Sequence, residues 1–93
     1  MQVFYVYMLK CINRDVSRSY VGYTNNLKLR LKKHNTGKGA KFTRGKKWIL
    51  IFKKKFISKS KAMRFEYALK QDKIKRSEIY KKYKNENFNI VTF

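Results

Sequence analysis

Two short tyrosine-rich segments near the N-terminus place the strongest constraint on the fold. Residues 4–9 read Phe-Tyr-Val-Tyr-Met-Leu and residues 19–23 read Ser-Tyr-Val-Gly-Tyr, a composition that is typical of β-strands. The polar segment between them, residues 11–18, can reverse the chain. We therefore expect a hairpin, and pairing about its midpoint would place Tyr7 directly opposite Tyr20, with Cβ atoms roughly 5 Å apart.

The next segments predict a short helix and then a strand. Asn25-Asn26 offers an N-cap, and one helix face and a closing glycine follow at Leu27, Leu31, His34 and Gly37. The five consecutive apolar residues from Trp48 to Phe52 predict a strand covered on both faces. We expect this strand in the middle of a small sheet.

The C-terminal half predicts two helices and a late strand. Ser58 or Ser60 can cap a helix with a buried stripe of Ala62, Phe65 and Leu69. A charged helix should follow from about Arg76 to Tyr83, and residues 90–93 are expected to dock as a strand. The order β-β-α-β-α-α predicts one compact α/β (α+β) unit, with a domain over residues 1–80 and a tail over residues 81–93 that packs on it.

The balance of charge limits the choice of partner. The chain has 25 Lys and Arg against five Asp and Glu, which gives a formal net charge of +20 at pH 7. Such a charge repels itself unless a polyanion neutralises it. Nucleic acid is the expected partner, and an anionic membrane surface is the alternative.

Several classes of protein are excluded by what the sequence contains. The chain has one cysteine and one histidine, so it can form neither an internal disulfide nor a Cys/His zinc site. The N-terminus does not resemble a signal peptide, and no apolar run approaches the length of about 18 residues that a membrane span needs. We expect a cytoplasmic protein, or a nuclear one in a eukaryotic host.

A divalent cation would depend on one of few carboxylates. Glu66 lies beside the buried stripe of the second helix, whereas the other acids fall in a loop, near helix ends or in the tail: Asp15, Asp72, Glu78 and Glu86. A single carboxylate suits Mg²⁺, which keeps several waters and accepts oxygens from phosphate. The alternative is that Glu66 only forms a surface ion pair with Lys70, four residues later.

Basic residues suited to phosphate cluster between the first helix and the third strand. Arg30 and His34 share one helix face, where a guanidinium can grip a phosphate bidentately, although a solvated arginine and a core-edge histidine are the plainer interpretation. The glycine-rich loop after this helix carries Lys38, Lys41 and Arg44. Its spacing does not fit a P-loop, so we expect a solvated loop that contacts phosphates.

The two tyrosines have a structural and a chemical interpretation. Tyrosine is common in strands, so Tyr7 and Tyr20 could simply be packing residues. A phenol has a pKa near 10 and needs nearby cations to release a proton at neutral pH, and this chain supplies many cations. No Ser/His/Asp or Cys/His arrangement supports acyl transfer.

These residues together resemble the GIY-YIG nuclease superfamily over about residues 3 to 75. The matching segments are Tyr5-Val6-Tyr7, Tyr20-Val21-Gly22, Tyr23-Thr24-Asn25, Arg30, His34-Asn35, Gly37 and Ala62-Met63-Arg64-Phe65-Glu66. The short chain and its glycine-rich loop look most like a small bacterial subgroup of that family, and they also resemble the catalytic domain of Slx-type structure-specific endonucleases.

The resemblance implies a three-stranded antiparallel sheet flanked by helices and one Mg²⁺ or Mn²⁺ ion on Glu66. Tyr7 would be the general base or would position the attacking water, with Tyr20 beside it in support. Arg30 would stabilise the pentacovalent phosphate, and His34 would assist with the scissile phosphate or with the Tyr7 proton.

Two positions depart from the family pattern. Tyr5 replaces the glycine of the first signature, and the asparagine that some relatives place after the glutamate has no clear match, because Glu78 or Lys81 stands near its place.

The sequence therefore predicts a metal-dependent endonuclease that cuts phosphodiester bonds in DNA, with RNA as a further substrate, and the family associates such enzymes with DNA repair. Branched, nicked or single-stranded DNA is expected rather than a defined sequence, because backbone contacts carry no base information. The alternative is a non-catalytic basic protein that binds nucleic acid on the same scaffold.

Overall fold

The computed structural model describes residues 2–13 and 18–91. Its elements, in chain order, are β1 (Phe4–Cys11), β2 (Ser19–Thr24), α1 (Leu27–Asn35), a 3₁₀ turn (Lys41–Thr43), β3 (Trp48–Phe56), α2 (Lys59–Gln71) and α3 (Lys73–Val91). The predicted α+β class and the order β-β-α-β-α-α are confirmed. Asp15 lies outside the described residues.

The three strands form one antiparallel sheet in the order β2-β1-β3. The prediction that the strand beginning at Trp48 lies in the middle of the sheet is wrong, because β1 is the central strand. Both faces of β3 do carry packed apolar side chains, with Ile51 and Phe52 in one cluster and Trp48 and Leu50 in the other. A run of apolar residues indicates that both faces of a strand are covered, but it does not indicate whether both edges of that strand are hydrogen-bonded to other strands.

The register of the hairpin also differs from the prediction. Tyr7 lies opposite Gly22, and Leu9 lies opposite Tyr20, so the two tyrosines are diagonal neighbours with ring centroids 6.3 Å apart. The Tyr7 ring lies over the glycine, where a Cβ atom would be 2.5 Å from the Tyr7 hydroxyl oxygen. This register places the large ring against the one residue of β2 that has no side chain.

The two faces of the sheet pack against different helices. Alternate residues of β1, namely Phe4, Val6 and Met8, face α2 and α3 and form a core with Ala62, Leu69 and Ile79. The intervening residues, Tyr7, Leu9 and Cys11, form a second core with Trp48 and with Leu27 and Leu31 of α1. The sheet therefore separates a face covered by α1 from a face covered by α2 and α3.

The first two helices begin where capping residues were predicted. The side chain of Asn26 accepts a hydrogen bond from the backbone of Leu29 (3.1 Å), and Ser58 accepts one from Lys61 (3.3 Å). Such N-caps satisfy backbone donors that have no partner inside the helix. Gly37, with a φ of 80°, follows α1 as expected. The buried stripe of α2 is confirmed, with Ala62 and Leu69 buried and Phe65 packed beside them.

The last helix is longer than predicted at both ends. It begins at Lys73, after Asp72 accepts a hydrogen bond from the backbone of Lys75 (2.9 Å). It continues to Val91, so the expected terminal strand is wrong for residues 90 and 91, and residues 92–93 lie outside the described part of the chain. No glycine or proline follows Gly45 to interrupt a helix here. None of the described helices is long and apolar enough to cross a bilayer.

Candidate active site

Four of the predicted site residues converge on the face of the sheet that α1 covers. Tyr7 comes from the central strand and is 1% exposed, and His34, from the last turn of α1, is completely buried. The Tyr20 ring lies 4.8 Å from the His34 ring, centroid to centroid. Arg30 lies one turn before His34 on α1, and its guanidinium is close enough to the hydroxyls of Tyr7 and Tyr20 for the three side chains to interact.

A chain of buried hydrogen bonds fixes the protonation of His34. The Thr43 hydroxyl donates its proton to the carbonyl of Ala40 (2.8 Å), so it can only accept from Nδ1–H of His34 (2.9 Å). The neutral ring then has an unprotonated Nε2, which accepts a hydrogen bond from the Tyr7 hydroxyl (2.8 Å). The two hydrogen bonds therefore point the same way: Tyr7 donates to His34, and His34 donates to Thr43.

The electrostatic environment keeps both ends of the Tyr7–His34 bond uncharged at rest. Burial, assisted by the positive charge of Arg30, lowers the pKa of His34 from 6.5 to about 4. Burial likewise raises the pKa of Tyr7 to about 12, and the hydrogen bond from Arg30 partly opposes this rise. At neutral pH the proton rests on Tyr7, and the unprotonated Nε2 of His34 accepts its hydrogen bond.

Arg30 connects this buried chain to solvent. Its guanidinium is partly exposed and lines a groove of about 450 Å³, together with Asn26, Lys33 and Lys59. The hydrogen bond with Tyr7 raises the pKa of the guanidinium further. A phosphate in this groove would meet a fixed positive charge beside the Tyr7 hydroxyl.

Glu66 approaches the site from the opposite side of the sheet. It lies on α2, its side chain is 18% exposed, and its carboxylate is 3.5 Å from Nζ of Lys70. The surface ion pair that was the plainer interpretation is thus present. The negative charge of Glu66 nevertheless reaches Tyr7, where it contributes to the raised pKa.

The donor set fits a cation held by one carboxylate. Among the described residues no group of three His, Cys, Asp or Glu side chains could enclose a metal ion. Glu66 offers one partly exposed carboxylate whose charge reaches Tyr7, and Mg²⁺ is commonly held by one or two carboxylates, waters and substrate oxygens. The residues present therefore fit such an ion, and they do not fit a site made of protein ligands alone.

The glycine-rich loop has a structural role that the sequence did not suggest. Lys38, Lys41 and Arg44 are exposed, as a phosphate-contacting loop requires. Gly39, however, packs directly on the catalytic candidate His34, where a Cβ atom would be 2.5 Å from Nδ1. Thr43 of the same loop is fully buried and holds that nitrogen.

Asn35 anchors the loop and α1 to the sheet. Its side chain accepts from the backbone N–H of Trp48 (2.7 Å) and donates to the Trp48 carbonyl (3.1 Å). The Trp48 indole in turn donates to the carbonyl of Thr43 (3.0 Å). Gly39 and Thr43 were missed as site residues, and the signal available was their closeness in sequence to His34; Asn35 was matched to the family motif but was given no role.

Comparison with known proteins identifies the class to which this fold and site belong. The chain belongs to the GIY-YIG family, because the family model for the GIY-YIG catalytic domain matches residues 3–87. This domain is a nuclease fold, whose members generally act on nucleic acid with divalent metals.

Within that class, the chain is similar to bacterial UPF0213 proteins. It is 57% identical over 68 residues to one from Oceanobacillus iheyensis, covering 72% of this chain and 76% of that protein. It is 44% identical over 77 residues to UPF0213 protein YazA of Bacillus subtilis, covering 82% and 75%. A solution structure of a UPF0213 protein from Bacillus halodurans is 43% identical, covers 82% of this chain and 79% of that one, and has a TM-score of 0.49. These names state no activity.

Proposed function

We propose that the protein is a divalent-metal-dependent endonuclease that hydrolyses phosphodiester bonds in DNA. The observation that carries this proposal is the buried, oriented series of hydrogen bonds from Tyr7 to His34 to Thr43, with the partly exposed Arg30 beside Tyr7. A buried tyrosine hydroxyl needs some hydrogen-bond partner even where it only packs, but packing alone does not require a neutral imidazole on one side and a guanidinium on the other. Both are needed if the hydroxyl passes protons next to a phosphate.

The raised pKa of Tyr7 leaves little phenolate at neutral pH. Tyr7 therefore acts as a proton relay during the reaction and not as a preformed phenolate base. The attacking water gives a proton to the Tyr7 oxygen as the Tyr7 proton passes to Nε2 of His34. The resulting imidazolium keeps its Nδ1–H bond to Thr43. The hydroxide forms a bond to phosphorus, the bond from phosphorus to the leaving oxygen breaks, and a solvent proton completes the leaving hydroxyl.

Arg30 stabilises the charge that develops on the phosphoryl oxygens. Its guanidinium is held beside Tyr7 before substrate arrives, so little reorganisation is needed in the transition state. Tyr20 supports the arrangement, because its ring packs against His34 and its hydroxyl helps to hold Arg30.

Glu66 would hold the metal ion, Mg²⁺ or Mn²⁺. When bound, the ion supplies Lewis-acid stabilisation of phosphate charge. Glu66 would have to leave Lys70 to bind it, which costs little, because ion pairs between partly exposed side chains contribute about 1 kcal/mol or less.

The substrate is chosen by structure rather than by sequence. Lys38, Lys41 and Arg44 are exposed along the loop that holds His34, and such cations contact phosphates without reading bases. Branched, nicked or single-stranded DNA therefore suits the protein better than a defined sequence, and RNA would compete for the same cations. A role in DNA repair would follow from such a preference.

One observation favours a second function. The net charge of +20 by itself supports tight binding to nucleic acid, whether or not catalysis follows. A non-catalytic protein on this scaffold would bind DNA with a steep salt dependence, and the Glu66→Gln substitution would leave that binding intact.

A cleavage assay separates the two functions. Labelled duplex, single-stranded, flap and four-way-junction DNA, with an RNA control, are incubated with EDTA, Mg²⁺ or Mn²⁺. We expect metal-dependent cleavage that is lost in Glu66→Gln and Tyr7→Phe. Glu86→Gln, which removes an exposed carboxylate from α3, should cleave normally. Binding without cleavage of every substrate would overturn the nuclease proposal and favour the second function.

A further inference from the structure

Phe42 is a large apolar side chain left open to solvent beside the candidate active site. It lies in the 3₁₀ turn, and 41% of its surface is exposed. Its ring is stacked on the Tyr20 ring, with centroids 6.3 Å apart and 24° between the planes. It also contacts the Trp48 ring, with centroids 6.1 Å apart. The Tyr20 ring also packs on the His34 ring, with centroids 4.8 Å apart.

Two cations accompany this exposed ring. The guanidinium of Arg18 lies over the ring, 5.2 Å from its centroid, and Nζ of Lys46 lies over it at 5.6 Å, so a base that stacks on Phe42 takes the place of these side chains. Lys46 also donates to the carbonyl of Phe42 (3.2 Å). The ring and Tyr20 line a cleft of about 310 Å³, which Lys70 and Arg76 close on the other side.

The position of Phe42 is rigidly coupled to the catalytic candidates. The next residue, Thr43, is fully buried and holds His34, and its carbonyl accepts from the Trp48 indole. A ring fixed in this way can stack on a ligand at a low cost in conformational entropy. Its neighbours supply positive charge, so the ligand that fits is both flat and anionic.

We infer that Phe42 stacks on the base of an unpaired nucleotide next to the scissile phosphate. This inference rests on the proposed function and names the part of the substrate that the site selects. An exposed aromatic ring takes any base, because every base has a π-face, and adjacent cations neutralise the phosphates. The base must leave its own stack to reach the ring, so duplex DNA fits poorly at this position.

The test uses single-stranded DNA with 2-aminopurine at successive positions, whose fluorescence falls when the base stacks. The probe strand is bound to the Glu66→Gln variant, so that it stays uncut. We expect quenching confined to one or two neighbouring positions. Phe42→Leu should abolish it and weaken binding about 5- to 150-fold, the equivalent of 1–3 kcal/mol per stacked base.

Matched variants separate stacking from structural damage. Phe42→Tyr and Phe42→Trp keep a ring and should keep the quenching. Tyr67→Leu, which removes an aromatic ring that is 66% exposed on α2, should change neither signal. The salt dependence of binding should be unchanged in Phe42→Leu, because no phosphate contact is removed. If Phe42→Leu does not fold, Phe42→Met provides the same comparison.

Either proposal can fail without the other. Position-specific quenching that depends on Phe42, in a wild-type protein that cuts nothing, would refute the nuclease and keep the stacking site. Cleavage by the wild type with quenching that survives in Phe42→Leu would refute the stacking site and keep the nuclease. An equal loss of affinity for fully paired DNA in Phe42→Leu would also overturn the stacking inference.

Discussion

Replacing Thr43 by valine tests whether this residue sets the direction of the Tyr7–His34 hydrogen bond. Valine has nearly the same shape as threonine but has no hydroxyl. The Nδ1–H of His34, which is completely buried, would lose its only described acceptor. The ring could then place its proton on Nε2 instead, where it would face the Tyr7 hydroxyl and could no longer accept the Tyr7 proton.

The expected magnitudes follow from these contacts. Leaving a buried donor unsatisfied costs about 1–3 kcal/mol. For a domain of this size, each kcal/mol lowers Tm by roughly 4–8 °C. General acid–base groups contribute about 10²- to 10⁴-fold to rates. We therefore expect Thr43→Val to slow the chemical step by at least about 30-fold, at unchanged affinity for DNA.

The assay is single-turnover cleavage at saturating protein, with Tm measured in parallel. Thr43→Ser is the matched control, because serine keeps the hydroxyl and should retain most of the rate. The reasoning would be refuted if Thr43→Val cleaved at the wild-type rate, or if Thr43→Ser lost as much activity as Thr43→Val.

Three other predictions follow from the same site. Gly22→Ala places a Cβ atom 2.5 Å from the Tyr7 hydroxyl oxygen, so the Tyr7 ring must move. Urea denaturation should show that the free energy of unfolding falls by about 1–3 kcal/mol. Unchanged stability and cleavage would contradict the packing described. The pKa of His34 is about 4 in the folded chain against an ordinary value of 6.5, so as pH falls the unfolded chain binds a proton first. Stability should therefore be lost as pH falls from 6.5 to 4, by about 3 kcal/mol. His34→Gln should flatten this part of the pH–stability curve, and an equally steep loss in that variant would contradict the burial of a neutral ring. Lys70→Ala should change the free energy of unfolding by less than about 0.5 kcal/mol, whereas Glu66→Gln should abolish metal-dependent cleavage. Equal effects of the two substitutions on cleavage would argue that Glu66 matters only as the ion-pair partner of Lys70.

The elements of the fold could be predicted from sequence, but their arrangement in the sheet could not. Composition and capping residues were sufficient for the starts of α1 and α2 and for the three strands of the sheet, although β3 continues beyond Phe52 to Phe56 and residues 90 and 91, expected in a strand, are helical. The central strand was misassigned because β3 has apolar residues on both faces, although within the described part of the chain no strand pairs with its outer edge. The register depends on where the Tyr7 ring finds room, and that is decided by its contact with Gly22.

The candidate site was predictable where its residues belong to a regular pattern. Spacing placed Arg30 and His34 on one helix face and Glu66 beside a buried stripe, but their choice over the plainer interpretations came from the resemblance to the GIY-YIG family. Thr43 and Gly39 belong to an irregular loop, and their contacts with His34 depend on how that loop folds back over α1. No periodicity encodes such a contact.

The most direct test of the account is the single-turnover cleavage rate of Tyr7→Phe, measured on single-stranded and flap DNA with Mg²⁺ or Mn²⁺. Phenylalanine keeps the ring over Gly22 and removes only the hydroxyl that faces His34 and Arg30. The account predicts DNA affinity within about two-fold of wild type and a rate at least about 100-fold lower. A wild-type rate in Tyr7→Phe, or a wild-type protein that binds these substrates with either metal and cuts none of them, would contradict it.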